Sequence, residues 1–364
     1  GGYFKGYGAY VNQDEVDGVD VKSVDFIRDT EIHFTGETTL DNGLTVGFHA
    51  EALTDGDDGF AVDESYAYMS GGWGRVNFGD EDGAAYLLQV AAPSADDNID
   101  GIRQFVSPVN YTFLGTGAAA ALTADQVAAF TDNGLDYAAD PTGKSTKLTY
   151  LTPIMGGFQA GVSFSPETSQ ADSFSVGLDD EEDTIEETYE VGVRYEGQFS
   201  NVGMILGAGF THGENGADDA GPTTVFVLDP DSGVVGPVVL PGIDSDDRQT
   251  WNAGADFDIG PFGIGAAYLE DNFGVEGAGT DDEKTWVVGA DYTTGPFKFG
   301  ISYLDQDNTL AIDDLDSKRY SGGVTYTYGP GMTFRGSVGH VQHDVPAADD
   351  ADATYVTLGT QINF

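Results

Sequence analysis

The last stretch of the chain carries a clear two-residue period. From Thr354 onward, Val356, Leu358, Ile362 and Phe364 share one parity, and Tyr355, Thr357, Gln361 and Asn363 share the other. Side chains alternate across a strand, so this segment has an apolar face and a polar one. The pattern recurs upstream. Trp251, Ala253, Ala255 and Phe257 fall on one parity, as do Trp286, Val288, Ala290 and Tyr292, then Phe297, Phe299, Ile301 and Tyr303. Tyr320, Val324, Tyr326 and Tyr328 continue the set, with aromatics near the strand ends. Arg194, Asp256, Asp291, Lys298, Arg319 and Arg335 all take the opposite parity. A charge facing hydrocarbon at the bilayer midplane costs ~2–4 kcal/mol, so this segregation suits a wall with lipid outside and water inside.

The period predicts strands over residues 3–11, 24–40, 44–52, 63–70, 75–79, 145–152, 158–165, 187–195, 202–212, 248–257, 262–269, 285–292, 297–304, 319–328, 332–341 and 353–364. Segments of about ten residues can cross a bilayer as tilted strands. In lipid every backbone polar group must be paired, which leaves a closed barrel as the only strand solution. The expected fold class is therefore all-β: one antiparallel transmembrane barrel of sixteen strands spanning residues 1–364. Residues 224–228 and 234–240 bracket Asp-Pro-Asp-Ser-Gly and could add a hairpin, but Pro222, Pro237 and Pro241 place it outside the wall.

The connections alternate in kind. Short ones are built from Gly, Pro, Asn and Asp, such as Asp41-Asn42-Gly43, Ile259-Gly260-Pro261, Gly295-Pro296 and Gly329-Pro330-Gly331. Long acidic ones cover residues 12–23, 54–62, 80–144, 166–186, 213–247, 271–284, 305–318 and 342–352. Short turns at one rim and long loops at the other are the layout of an outer-membrane barrel. Residues 80–144 far exceed an ordinary connection, and a barrel of this size needs a constriction. Folding that loop into the lumen supplies one, and within residues 118–130 Thr123 could cap a short helix with Gln126 three residues on.

Composition changes the picture in one direction. Acids outnumber bases 62 to 14, a formal net charge of -48. Nucleic acid is excluded as a partner, because phosphate binding needs the Lys and Arg clusters that are missing. Without cysteine there is no disulfide or thiolate chemistry. Gly1 falls almost inside the first strand, which reads as a processed or trimmed N-terminus. No serine stands in a triad context, and Gly143-Lys144-Ser145 lacks the upstream glycine of a phosphate loop, so no enzyme is expected. His33, His49, His212, His340 and His343 show no zinc-ligand spacing and are read as lumen-wall or loop residues.

Several of these segments resemble a known family. The strand-turn-strand run Lys147-Leu-Thr-Tyr-Leu-Thr-Pro-Ile-Met-Gly-Gly-Phe-Gln-Ala-Gly-Val-Ser-Phe-Ser-Pro166 looks like that of Gram-negative porins of the alphaproteobacterial type. Asp41-Asn-Gly-Leu-Thr-Val-Gly-Phe48, Gly72-Trp-Gly-Arg-Val-Asn-Phe-Gly79 and the terminal Phe364 are similar to that family too. The resemblance implies a homotrimeric outer-membrane channel for ions and small hydrophilic solutes, with the third loop as an eyelet. It also implies that Phe364 is the signal read by the barrel-assembly machinery.

The candidate constriction has an acidic side, Glu31, Asp80, Glu81, Asp82, Asp96, Asp97 and Asp100, and a basic wall, Lys5, Arg75, Arg194, Lys298 and Arg335. Enteric general porins carry arginines on the wall opposite the eyelet, and two of those positions align with Glu31 and Asp80. The channel should therefore prefer cations, since a screening length of ~8 Å lets wall charges act across an opening of that size. Asp96, Asp97 and Asp100 could hold calcium, though no cofactor is required. The acidic loops should draw divalent cations that also bridge lipopolysaccharide. Alternatives are a substrate-selective channel of the same build and a soluble acidic β-sandwich binding calcium or sugar.

Overall fold

The computed structural model describes all residues except 15–20, 57–58, 95–106, 112–134, 169–184, 217–222, 229–234, 241–242, 278–279 and 347–349. Its strands in chain order are β1 Gly2–Gln13, β2 Val24–Thr39, β3 Thr45–Gly56, β4 Gly59–Gly71, β5 Gly74–Asp80, β6 Thr146–Leu151, β7 Phe158–Glu167, β8 Ile185–Phe199, β9 Val202–Asn215 and β10 Thr223–Leu228. They continue as β11 Val235–Leu240, β12 Ile243–Ser245, β13 Arg248–Ile259, β14 Phe262–Asp271, β15 Val275–Gly277, β16 Glu283–Thr294, β17 Phe297–Asp307, β18 Asp316–Gly329, β19 Met332–Asp344 and β20 Ala351–Asn363. One four-residue helix, α1 Ala84–Leu87, lies in the third long loop.

Sixteen of these strands, β1–β9, β13, β14 and β16–β20, close into a single antiparallel barrel, with β1 pairing to both β2 and β20. They are the sixteen segments predicted by the alternation. Several run further toward the long-loop rim, β4 from Gly59 and β8 from Ile185. The strands β10 and β11 pair with each other and stay out of the wall, as their prolines predict. A small β12–β15 ladder ties two of the long loops together. Two-residue turns close the other rim at Gly260-Pro261 and Gly295-Pro296, where φ of 63° and 57° at the glycines meets what such tight hairpins demand.

Facing follows parity. Trp251, Phe299 and Leu358 are 43%, 46% and 69% exposed, pointing away from the lumen. Aromatic rings form two outer bands. Trp251, Tyr268 and Trp286 contact in series on the long-loop side, continued by Tyr303 and Tyr320. Phe262–Tyr292, Phe297–Tyr326 and Phe158–Tyr195 pair on the short-turn side. Such girdles sit at lipid headgroup level.

The lumen face departs from the uniformly polar wall that parity alone predicts. Ala267, Leu269, Val287, Leu304 and Val341 also point inward and are buried. They meet Tyr86, Ala92, Val109, Tyr111, Leu135, Tyr137 and Ala139 of the third loop in one apolar cluster. Under the inward loop the wall is thus mixed: apolar in this cluster, and polar where side chains such as Ser163, Glu190 and Gln306 bond the loop backbone.

Candidate functional site

The third loop leaves the wall after Asp80 and is held down at its root by polar side chains. Two N–H groups at the start of α1 need partners outside the helix. The wall provides them: Ala84 N donates to Ser163 Oγ at 2.8 Å and Ala85 N to Glu190 Oε2 at 3.1 Å. Thr142 Oγ1 donates to the same Glu190 carboxylate at 2.6 Å. Lys144 Nζ reaches Glu64 Oε1 at 2.7 Å and Asp82 Oδ1 at 2.6 Å, joining both ends of the loop to β4. Lys147 donates to the carbonyls of Glu81, Gly143 and Ser145. Within the loop, Gln89 bonds the Tyr137 carbonyl at 2.7 Å and the Ala139 N–H at 2.8 Å, zipping its two described arms together.

Beyond the root, the loop backbone lies flat on a track of inward-facing glycines. A Cβ at Gly192 would collide with the Ala84 carbonyl oxygen, one at Gly254 with that of Val90, and one at Gly289 with that of Pro93. At Gly207 a Cβ would stand 2.6 Å from Val90 Cγ2. The wall pairing sets Gly254 opposite Gly207, and Gly265 opposite Gly289, so the track crosses β8, β9, β13, β14 and β16. Further round, Gln306 donates to the Asp136 carbonyl, Arg319 to that of Leu135, and the rings of Tyr111 and His343 meet edge to face.

The predicted acidic side divides in two. Asp80, Glu81 and Asp82 do gather, but at the loop root. Glu81 and Asp82 are 2% and 7% exposed and serve as partners of Asn77 and Lys144, so they face protein and not the opening. Glu31 lies elsewhere, on β2 beside His33. Asp96, Asp97 and Asp100, with their expected calcium site, fall outside the described residues, as does the expected helix at 118–130.

Of the five predicted bases, Lys298, Arg335 and Lys5 share one arc of the wall from β17 to β1, while Arg75 and Arg194 stand apart on β5 and β8, and each has local partners. Lys5 on β1 is 3.4 Å from Asp29 and lies over the Tyr3 ring. Arg75 on β5 bonds Asn77 at 2.6 Å and stacks 4.0 Å from the Tyr68 ring centroid. Arg194 on β8 donates to the Gln89 carbonyl of the loop and is 3.8 Å from Glu196. Lys298 on β17 pairs with Asp291 at 2.9 Å, and Arg335 on β19 bonds Gln361 at 2.6 Å. Acids still prevail on both water-facing patches. Asp256 feels the charges of Asp258, Asp291 and Lys298, while Asp29, Glu31 and Glu51 share β2 and β3 near Lys5. Phe364 is 67% exposed and its N–H bonds the Gly2 carbonyl at 3.1 Å.

Burial pushes the Glu81 carboxyl up from 4.5 to about 7, against the opposing pull of Asn77, Thr149, Lys147 and Arg75. The folded state thus binds this proton more tightly than the unfolded chain. The resulting cost is absent below pH 4.5, grows as pH rises to about 7, and is constant above. Glu81→Gln keeps the acceptor for Asn77 and removes that cost. It should raise the heat-denaturation temperature at pH 8, by up to about 3 kcal/mol of root stability, and leave it unchanged at pH 4. Equal shifts at both pH values would contradict the burial account.

The sequence model of the family described as Gram-negative porins matches residues 1–280 and 241–363 of the chain. No curated protein matches it. Among solved structures, the anion-selective porin from Comamonas acidovorans is similar with a TM-score of 0.61 at 17% identity, over 100% of this chain and 98% of that one. OmpT of Vibrio cholerae in a trimer form gives 0.57 at 14%, covering 100% and 98%. A mutant of the Rh. blastica porin gives 0.54 at 16%, again covering 100% and 98%.

Proposed function

The chain belongs to the Gram-negative porin family of outer-membrane β-barrel channels, and from that premise we propose a passive, water-filled pore for ions and small hydrophilic solutes that prefers cations. The observation that carries the preference is the imbalance of charge on the water-facing wall: Asp256, Asp258 and Asp291 against Lys298, and Asp29, Glu31 and Glu51 against Lys5. Two like-signed patches with a ~8 Å screening length raise the local cation concentration and exclude anions. That the similar Comamonas acidovorans porin is anion-selective makes the sign a property of each chain's wall residues and not of the fold.

The working unit is a homotrimer in the outer membrane, a reading supported by the trimer form of the similar OmpT. The acidic long loops face lipopolysaccharide through bridging divalent cations, and Phe364 acts as the assembly signal. A planar bilayer with a salt gradient tests the central claim. Reversal potentials of the sign for cation flow are expected, and a potential of anion sign would overturn the preference.

A further inference from the structure

The pairing of β2 with β3 sets His33 opposite Glu51 and Thr35 opposite His49, all with inward parity. His49 Nε2 lies 2.7 Å from Glu51 Oε1, and His33 Nδ1 lies 3.5 Å from the same oxygen. The other nitrogen of each ring is already engaged. His33 Nε2 is 3.0 Å from Glu31 Oε2, and His49 Nδ1 is 2.9 Å from Thr35 Oγ1. The two rings meet edge to face at 5.7 Å. When neutral His33 donates Nε2–H to Glu31, its Nδ1 lone pair is left facing a carboxylate oxygen. Acceptor then faces acceptor, and a cation between them resolves the conflict.

We propose that His33, His49 and Glu51 form a site for a divalent transition-metal ion of the zinc class on the lumen wall. The three ligand atoms lie within 4.8 Å of one another. Zinc bonds of ~2.0–2.2 Å in tetrahedral geometry place neighbouring ligand atoms about 3.3 Å apart, which the distances above bracket. Glu31 and Thr35 hold the far ring nitrogens, the outer contacts that orient metal-binding imidazoles. The side chains of His33, His49 and Glu51 remain 30%, 17% and 18% exposed, leaving water from the lumen as the fourth ligand. Glu31, Glu51 and Asp63 also converge within the same limit and offer oxygen alone. Imidazole ligands favour zinc, nickel or copper, whereas a purely carboxylate trio favours calcium or magnesium. A bound ion would place two positive charges among Asp29, Glu31 and Glu51.

The test is titration of the detergent-folded, full-length chain with zinc chloride, alongside calcium chloride. Saturable one-to-one zinc uptake, lost in His33→Gln/His49→Gln and weakened roughly tenfold in Thr35→Val, is expected. Heat-modifiable gel mobility verifies that the variants are folded. On the unaltered protein, cobalt(II) should give the intense visible bands of a tetrahedral site, a readout needing no variant. Absence of zinc uptake, uptake undiminished in the double variant, calcium uptake of equal strength, or only the weak octahedral cobalt spectrum would each overturn the assignment. None of these readouts passes through conductance, so failure here leaves the channel proposal standing.

Discussion

Gly254→Val should narrow the channel while leaving the barrel intact. The glycine faces inward on β13, and a Cβ there collides with the Val90 carbonyl and stands 3.0 Å from Val90 Cβ. Valine suits an extended backbone, so the pairing of Gly254 with Gly207 and Ala267 has no reason to break. The loop must lift instead, and an overpacking cost of about 1–3 kcal/mol falls on its seat. Lower single-channel conductance and a smaller solute limit are expected, with unchanged heat-modifiable mobility. Gly322→Val on β18 is the control, because its Cβ would find only ordinary contact, 3.5 Å from Ile301 Cγ2 on the outer face. Equal conductance in the two variants would show that the glycine track does not seat the constriction.

Ile301→Arg should cost about 2–4 kcal/mol of stability in lipid vesicles. Ile301 is 67% exposed between Phe299 and Tyr303 on the outer face of β17, where hydrocarbon is the only solvent. Three residues earlier on the same strand, Lys298 has the opposite parity and is paired with Asp291. Lys298→Met should therefore leave the urea midpoint nearly unchanged while increasing cation preference. Matching losses of stability from both substitutions would mean that the two faces do not see different solvents.

How much of this was legible in the sequence depends on the range of the interaction. Wall strands announce themselves through neighbours two residues apart, as in Trp251, Ala253, Ala255 and Phe257, and all sixteen were readable. The β10–β11 hairpin stayed out because prolines carry a local signal. The loop seat was not readable. Gly192, Gly254 and Gly289 look like weak points in strands until another backbone is laid on them, and parity cannot say whether Leu269 or Val287 faces water or a loop. Lys144 finds Glu64 across 80 residues, a pairing that no spacing rule anticipates. Sixteen residues is not a zinc-ligand interval, so spacing alone does not join His33 and His49, yet a hairpin register brings them together. The signal was the turn at Asp41-Asn42-Gly43, which fixes which residues of β2 and β3 stand opposite.

Loop strands β10–β12 and β15 aside, each wall strand pairs with the wall strand that follows it in the chain, and β1 with β20 alone spans the whole length. Assembly can thus proceed hairpin by hairpin, each prolonging an open ribbon, with one closing event left for the seam. The entropy of bringing distant ends together grows only as a logarithm, about 0.6 kcal/mol for each doubling of the intervening chain. A ribbon of eight strands would close at almost the same cost as this one. The bore of such a molecule is therefore decided by how many hairpins precede the seam, not by the difficulty of shutting it.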